Sequence, residues 1–177
     1  MEGRIPSMEL KPIPINPQDF LDLHAAIGMA LWHGNGFEFS LTHFITRALK
    51  LPPSRAEQEV RHVLEEMQGK TLGQLIAELR KANSTNSVTS FEARVNRFLE
   101  ERNWLVHHSW RDHRTVLFTP ESLPPLLNRL DALADEGQAL QEVFQELLHA
   151  LTLSQGITQE SVDAKKTRLL RSQGVIE

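Results

Sequence analysis

The sequence predicts an all-α fold, and three observations carry that expectation. Apolar residues recur at alternating steps of three and four through most of the 177-residue chain. Capping residues and helix breakers bracket those stretches in the right order. The only strand-like stretch, Thr115-Val116-Leu117-Phe118, is short. A helical bundle follows.

Asn16 reads as the cap of the first helix, with Pro17 at its first position and Asp19 in its first turn. Pro12 to Pro17 form an extended lead-in, because a proline disfavours helix in the residue before it. Met1 to Ser7 are set aside as a candidate added leader, with Met8 as the natural start. From Phe20 a stripe runs through Leu23, Ile27, Ala30, Gly34, Phe37, Leu41, Phe44 and Ala48. Gly34-Asn35-Gly36 has the composition of a turn. The stripe keeps its phase across it, so one helix over roughly residues 17 to 50, weakened or kinked at the glycines, is favoured over two.

Leu51-Pro52-Pro53 ends that helix, and Ser54 with Glu57 opens the next by a capping box. Its buried stripe is Val60, Val63, Leu64 and Met67, and Gly69 stops it. Thr71 with Gln74 repeats the box before Leu72, Leu75, Ile76 and Leu79. Ser84 to Thr89 reads as a loop. A helix opening at Thr89 or Ser90 has Phe91, Val95, Phe98, Leu99, Leu105 and Val106 on its apolar side, and Glu92, Arg94, Arg97 and Glu101 on its outer face. A mixed segment follows from His108 to Phe118. Thr119-Pro120-Glu121 signals another helix, although Pro124 and Pro125 allow a later start. Its stripe runs from Leu126 to Leu151, with Gly137 as a soft spot. After Gln155-Gly156 a short basic helix, opened by Thr158 and Glu160, either docks on the body or frays. Its cations, Lys165 to Arg171, are read first as a solvated helix end. The expected organisation is a lead over 1–16, a helical domain over 17–154 and a basic helix or tail over 155–177.

Cysteine is absent, which excludes disulfides, thiolate metal sites and thiol nucleophiles, and fits a cytoplasmic setting. No apolar run is long enough to span a membrane, and no signal-peptide pattern opens the chain. The net charge of −4 argues against an extended groove that grips nucleic acid by its phosphates. Cations do gather locally: Arg94, Arg97, Arg102, Arg111 and Arg114, with His107, His108 and His113 among them. Glu100, Glu101 and Asp112 offset part of that charge, leaving room for a small contact. No Gly-rich phosphate loop, nucleophile elbow or H-E-x-x-H pattern is present. His107, His108 and His113 match no zinc spacing, and no metal or other cofactor is expected. His24, His33 and His43 are spread along the first helix and expected on a packing face. Trp104 and Trp110 could stack on bases, but burial is the simpler expectation for Trp104.

The stretch with the most chemistry is Arg102-Asn103-Trp104-Leu105-Val106-His107. It joins a planar, permanently charged phosphate-binding fork, an amide, and a side chain that titrates near neutrality. This R-x4-H spacing, with Asn103 after the Arg, resembles the R-x4-6-H motif of the HEPN superfamily. The preceding Thr71-Leu72-Gly73-Gln74-Leu75-Ile76 segment, the His-Ser-Trp tail and the helical pattern over roughly residues 20 to 150 add to the likeness. The resemblance implies a homodimer in which two motifs face each other, metal-independent RNA cleavage of toxin or host-defence type, and a separate antitoxin protein as partner. Arg102, Asn103 and His107 are then the candidate catalytic residues, and Arg97, His108, Arg111 and Arg114 the candidate RNA contacts. Helix geometry sets a condition. Asn103 and His107 share a face, but Arg102 and His107 point about 140° apart. Other members of that superfamily bind or scaffold without cutting. A non-catalytic binding or dimerisation module is therefore the alternative, with Arg102 and His107 paired to acids at an interface.

Overall fold

The computed structural model describes residues 16–50, 57–82, 89–114 and 116–175. All elements among them are helical. Asn16 caps α1 (Pro17–Ile45) by accepting from the Gln18 amide at 3.0 Å, and Pro17 fills the first turn where its missing N–H costs nothing. The helix continues as a π-helical turn over Thr46–Lys50. It passes through Gly34-Asn35-Gly36 without a break, as the unbroken phase of the stripe requires.

Those glycines serve packing. Gly137 lies inside α6 (Leu123–Ser154), and a Cβ there would stand 3.1 Å from the His33 carbonyl carbon and 3.2 Å from the Gly34 nitrogen. One on Gly36 would run into the Gln141 amide. The two helices touch backbone to backbone at this level, so Gly137, expected as a soft spot, is a buried contact point. α1 and α6 run in the same direction, with Gly34 beside Gly137 and Phe44 against Phe144. α4 (Thr89–His107) runs the opposite way: Phe91 meets Phe144, and Phe98 meets Phe37 and Gly34. Phe37 is fully buried at the centre, with Phe98 edge-on at 5.2 Å and Phe144 tilted at 5.7 Å.

α3 (Leu72–Ala82) opens with the expected reciprocal cap. The Thr71 amide donates to Gln74 Oε1 at 2.8 Å, and the Gln74 amide to Thr71 Oγ1 at 3.4 Å. Leu72, Leu75, Ile76 and Leu79 are buried as expected. α2 (Glu57–Gln68) buries Met67, while Val60, Val63 and Leu64 are only half covered. The cap assigned to Ser54 and most of the Ser84–Thr89 loop lie outside the described residues.

After α4 come a single helical turn, α5 (Ser109–His113), and two 3-10 turns, Val116–Phe118 and Pro120–Ser122. The strand-like Val116–Phe118 is thus a tight helical turn, and there is no strand among the described residues. The helix expected to start at Pro120 begins at Leu123, which leaves Pro124 and Pro125 in its first turn. Gly156, at φ 79°, turns the chain into α7 (Gln159–Ser172), where Thr158 Oγ1 accepts from the Ser161 amide. α7 buries no residue. No helix among the described residues is long and apolar enough to cross a membrane.

Candidate functional site

α4 presents the motif because its apolar side is pinned: Val95, Phe98 and Leu105 are buried against the core. That pinning sets the directions of the neighbours. Arg102 is partly covered, with Nη2 3.8 Å from Glu38 Oε2 on α1. Asn103 is half covered. His107, the last residue of α4, is exposed. No hydrogen bond or ion pair joins Arg102 to His107 among the described residues. One chain therefore presents the two on different sides of the helix, as five-residue spacing demands.

Beyond His107 the chain turns into α5 and exposes His108, Trp110, Arg111 and Arg114, with Trp110 at 84%. Arg111 reaches both ways, to His108 Nδ1 at 3.4 Å and to Asp112 Oδ1 at 3.4 Å. Asp112 also accepts from Trp104 Nε1 at 3.2 Å. Desolvation opposes ionisation of this carboxyl, but the hydrogen bonds from Trp104 and Arg111 and the charges of Arg111 and His108 outweigh it. The group is held below its ordinary range. Trp104, expected to be buried, is only half covered, with the Arg129 guanidinium 3.3 Å over its ring and the edge of His113 against it. His113 is thereby half covered, while His107 and His108 stay in solvent.

Along α4 from Trp104, past the same Arg129, a cleft of about 560 Å³ opens toward α6, lined by Arg94, Arg97, Glu101, Arg129 and Glu136 over Phe98. Arg94 grips Glu136 through two bonds, at 2.7 and 3.0 Å, which raises the pKa of its guanidinium further. Arg129 grips Glu101 in the same way, at 2.7 and 3.1 Å. Glu92 pairs with Arg80 of α3. The face expected to point outward thus carries the ion pairs that tie α4 to its neighbours, and Arg97 is the member left exposed. Val106, expected on the apolar side, is half in solvent.

The histidines of α1 depart from a common packing face. His24 is exposed, with Nδ1 2.7 Å from the Phe20 carbonyl, whereas His43 is half buried with its Nε2 enclosed and without a hydrogen bond. His24 and His113 border an apolar cavity of about 510 Å³ floored by Leu105, Leu126 and Leu130. Among the described residues no group of three or more His, Asp or Glu side chains could hold a metal ion. Glu38, Arg129 and Glu136 were invisible as site neighbours in the sequence, because each reaches α4 from another helix and no local spacing marks it. No family model matches the chain, and no curated protein or solved structure matches it.

Proposed function

We propose that the chain is a HEPN-like, metal-independent RNA endonuclease of toxin or host-defence type, acting as a homodimer through Arg102, Asn103 and His107. The observation that supports this reading best is the contrast within the motif. His107 is exposed at the end of α4, beside an exposed basic and aromatic turn. Among the described residues Arg102 makes one long ion pair, to Glu38, which a phosphate could replace.

In this reading His107 takes the proton of a ribose 2′-hydroxyl or gives one to the leaving 5′-oxygen. Arg102 binds the scissile phosphate and stabilises the charge that builds in its transition state. Asn103 orients His107 or a phosphate oxygen. The 2′-hydroxyl is the nucleophile, so the products carry a 2′,3′-cyclic phosphate and DNA is spared. His108, Arg111, Arg114 and Arg97 would contact the RNA backbone. Two copies are required, because one chain keeps Arg102 and His107 apart.

A second reading, a non-catalytic module that binds RNA or a protein, is favoured by the same Arg102–Glu38 pair taken as a structural tie. The two separate by incubating purified protein with a mixed RNA pool and matched DNA in EDTA. The nuclease cuts RNA alone, and Arg102→Ala and His107→Ala each lower the rate by about 100-fold or more. Unchanged cleavage in His107→Ala rules out the assignment. RNA affinity without cleavage, weakened by Arg102→Ala, selects the binding module.

A further inference from the structure

α1 is apolar on two opposite faces, and only one of them is covered. The covered face packs on α6. The other carries Leu21, Ala25, Gly28, Trp32, Asn35 and Phe39, all exposed, with Leu21 at 59%, Trp32 at 75% and Phe39 at 58%. The steps between them alternate four and three without exception, which is the spacing of a coiled-coil seam. No charged residue interrupts it over about 27 Å of helix.

We infer that this seam binds the same seam of a second copy, antiparallel, about a two-fold axis level with Ala30. The pattern is self-complementary under that operation, which is what a two-fold interface requires. Leu21 faces Phe39, Ala25 faces Asn35, and Gly28 faces Trp32 of the other copy. A side chain on Gly28 would meet nothing within 4 Å in its own chain, so the space over it is open to the Trp32 ring. The flanks agree. On one side Met29 meets Met29 near the axis, and Asp22 stands at the level of Gly36. On the other, Leu31 meets Leu31 and His24 stands opposite Glu38. No like charges are brought together. Trp32, Phe39, Leu21 and Met29 expose on the order of 500 Å² of apolar surface, so a pair buries roughly 1,000 Å² before the rest of the flanks is added. That reaches the lower range of specific interfaces.

Glu38 lies on the flank that carries Arg102, and the two-fold places both such flanks on one side of the pair. Both copies' motif helices then lie toward the same face of the pair. That consequence rests on the ribonuclease reading above, whereas the seam itself does not.

The chain has no cysteine, so single cysteines report the register directly. Sedimentation of the full chain should give twice the 20.2 kDa chain mass at micromolar concentration. Trp32→Glu should weaken self-association about 100-fold while leaving helical content unchanged. Met29→Cys should form a disulfide-linked dimer by itself. Leu21→Cys should link to Phe39→Cys in a mixture, while Glu146→Cys on the far face of α6 should not link. A monomer at these concentrations, a dimer indifferent to Trp32→Glu, or cross-links in another register overturns the inference. A dimer with this register but no RNA cleavage leaves the interface standing and removes the nuclease reading. RNA cleavage by a dimer that is indifferent to Trp32→Glu does the reverse.

Discussion

Arg94 and Arg102 lie on the same helix and the same chain supplies an acid to each, yet they are held differently. Arg94 is clamped to Glu136 by two short bonds, on a face of α4 further tied by Glu92 to Arg80 and by Glu101 to Arg129. Among the described residues Arg102 has one ion pair, at 3.8 Å, and the helix beyond it ends in an exposed histidine. The first face is a fastened scaffold, and the side that carries Arg102 is more lightly held. Charge by itself therefore does not mark a site in this protein. The extent to which each charge is already satisfied does.

Breaking the scaffold should give the largest effect. Phe98→Ala removes the ring packed edge-on to Phe37 and touching Gly34 and Gly137. It should cost about 3–5 kcal/mol of stability, read by denaturant unfolding, and should abolish any function of the motif by unfolding the chain. Gly137→Ala tests the helix crossing at the same level. Its new methyl meets backbone atoms at 3.1 and 3.2 Å that cannot swing away. A loss of about 1–3 kcal/mol is expected despite alanine's better helix propensity, and a gain would show that α1 and α6 can separate freely. Glu136→Gln should cost under about 1 kcal/mol, because the pair with Arg94 is partly exposed and screened.

The smallest effect concerns His43. Burial, and then the charge of Arg47, lower its pKa below the usual 6.5. The folded chain thus binds this proton less readily than the unfolded one. Its contribution to stability is complete above about pH 6.5, falls as the pH drops below that, and is lost once the folded pKa is passed. His43→Leu should flatten that part of the curve of Tm against pH. An unchanged slope would place the dependence elsewhere.

What could be read in advance was what neighbours in sequence decide. Asn16 with Pro17, Thr71 with Gln74, and the phase that carries α1 through Gly34-Asn35-Gly36 are all local, and all are seen. The close approach at Gly137 was not legible, because a glycine weakens a helix locally and its use appears only when a second backbone arrives. The same holds for Glu136 under Arg94, which turned a face expected to be solvated into a tie between helices. Within the motif, spacing alone showed that Arg102 and His107 diverge. It did not show which would turn toward a neighbouring helix, and Glu38 decides that. The seam through Trp32 and Phe39 was hidden by the stronger stripe on the opposite side of α1.

The parallel pairing of α1 and α6 has a consequence for synthesis. Gly34 and Gly137 are separated by roughly 100 residues, so this close backbone approach joins positions far apart along the chain. A ribosome that has released α1, α2 and α3 has made a chain whose central phenylalanine lacks both of its ring partners. Phe37 finds Phe98 and then Phe144 only as the later helices emerge. Until Phe144 emerges, the nascent chain presents that apolar face to whatever else is in solution, and a truncation before Leu123 would leave it bare for good.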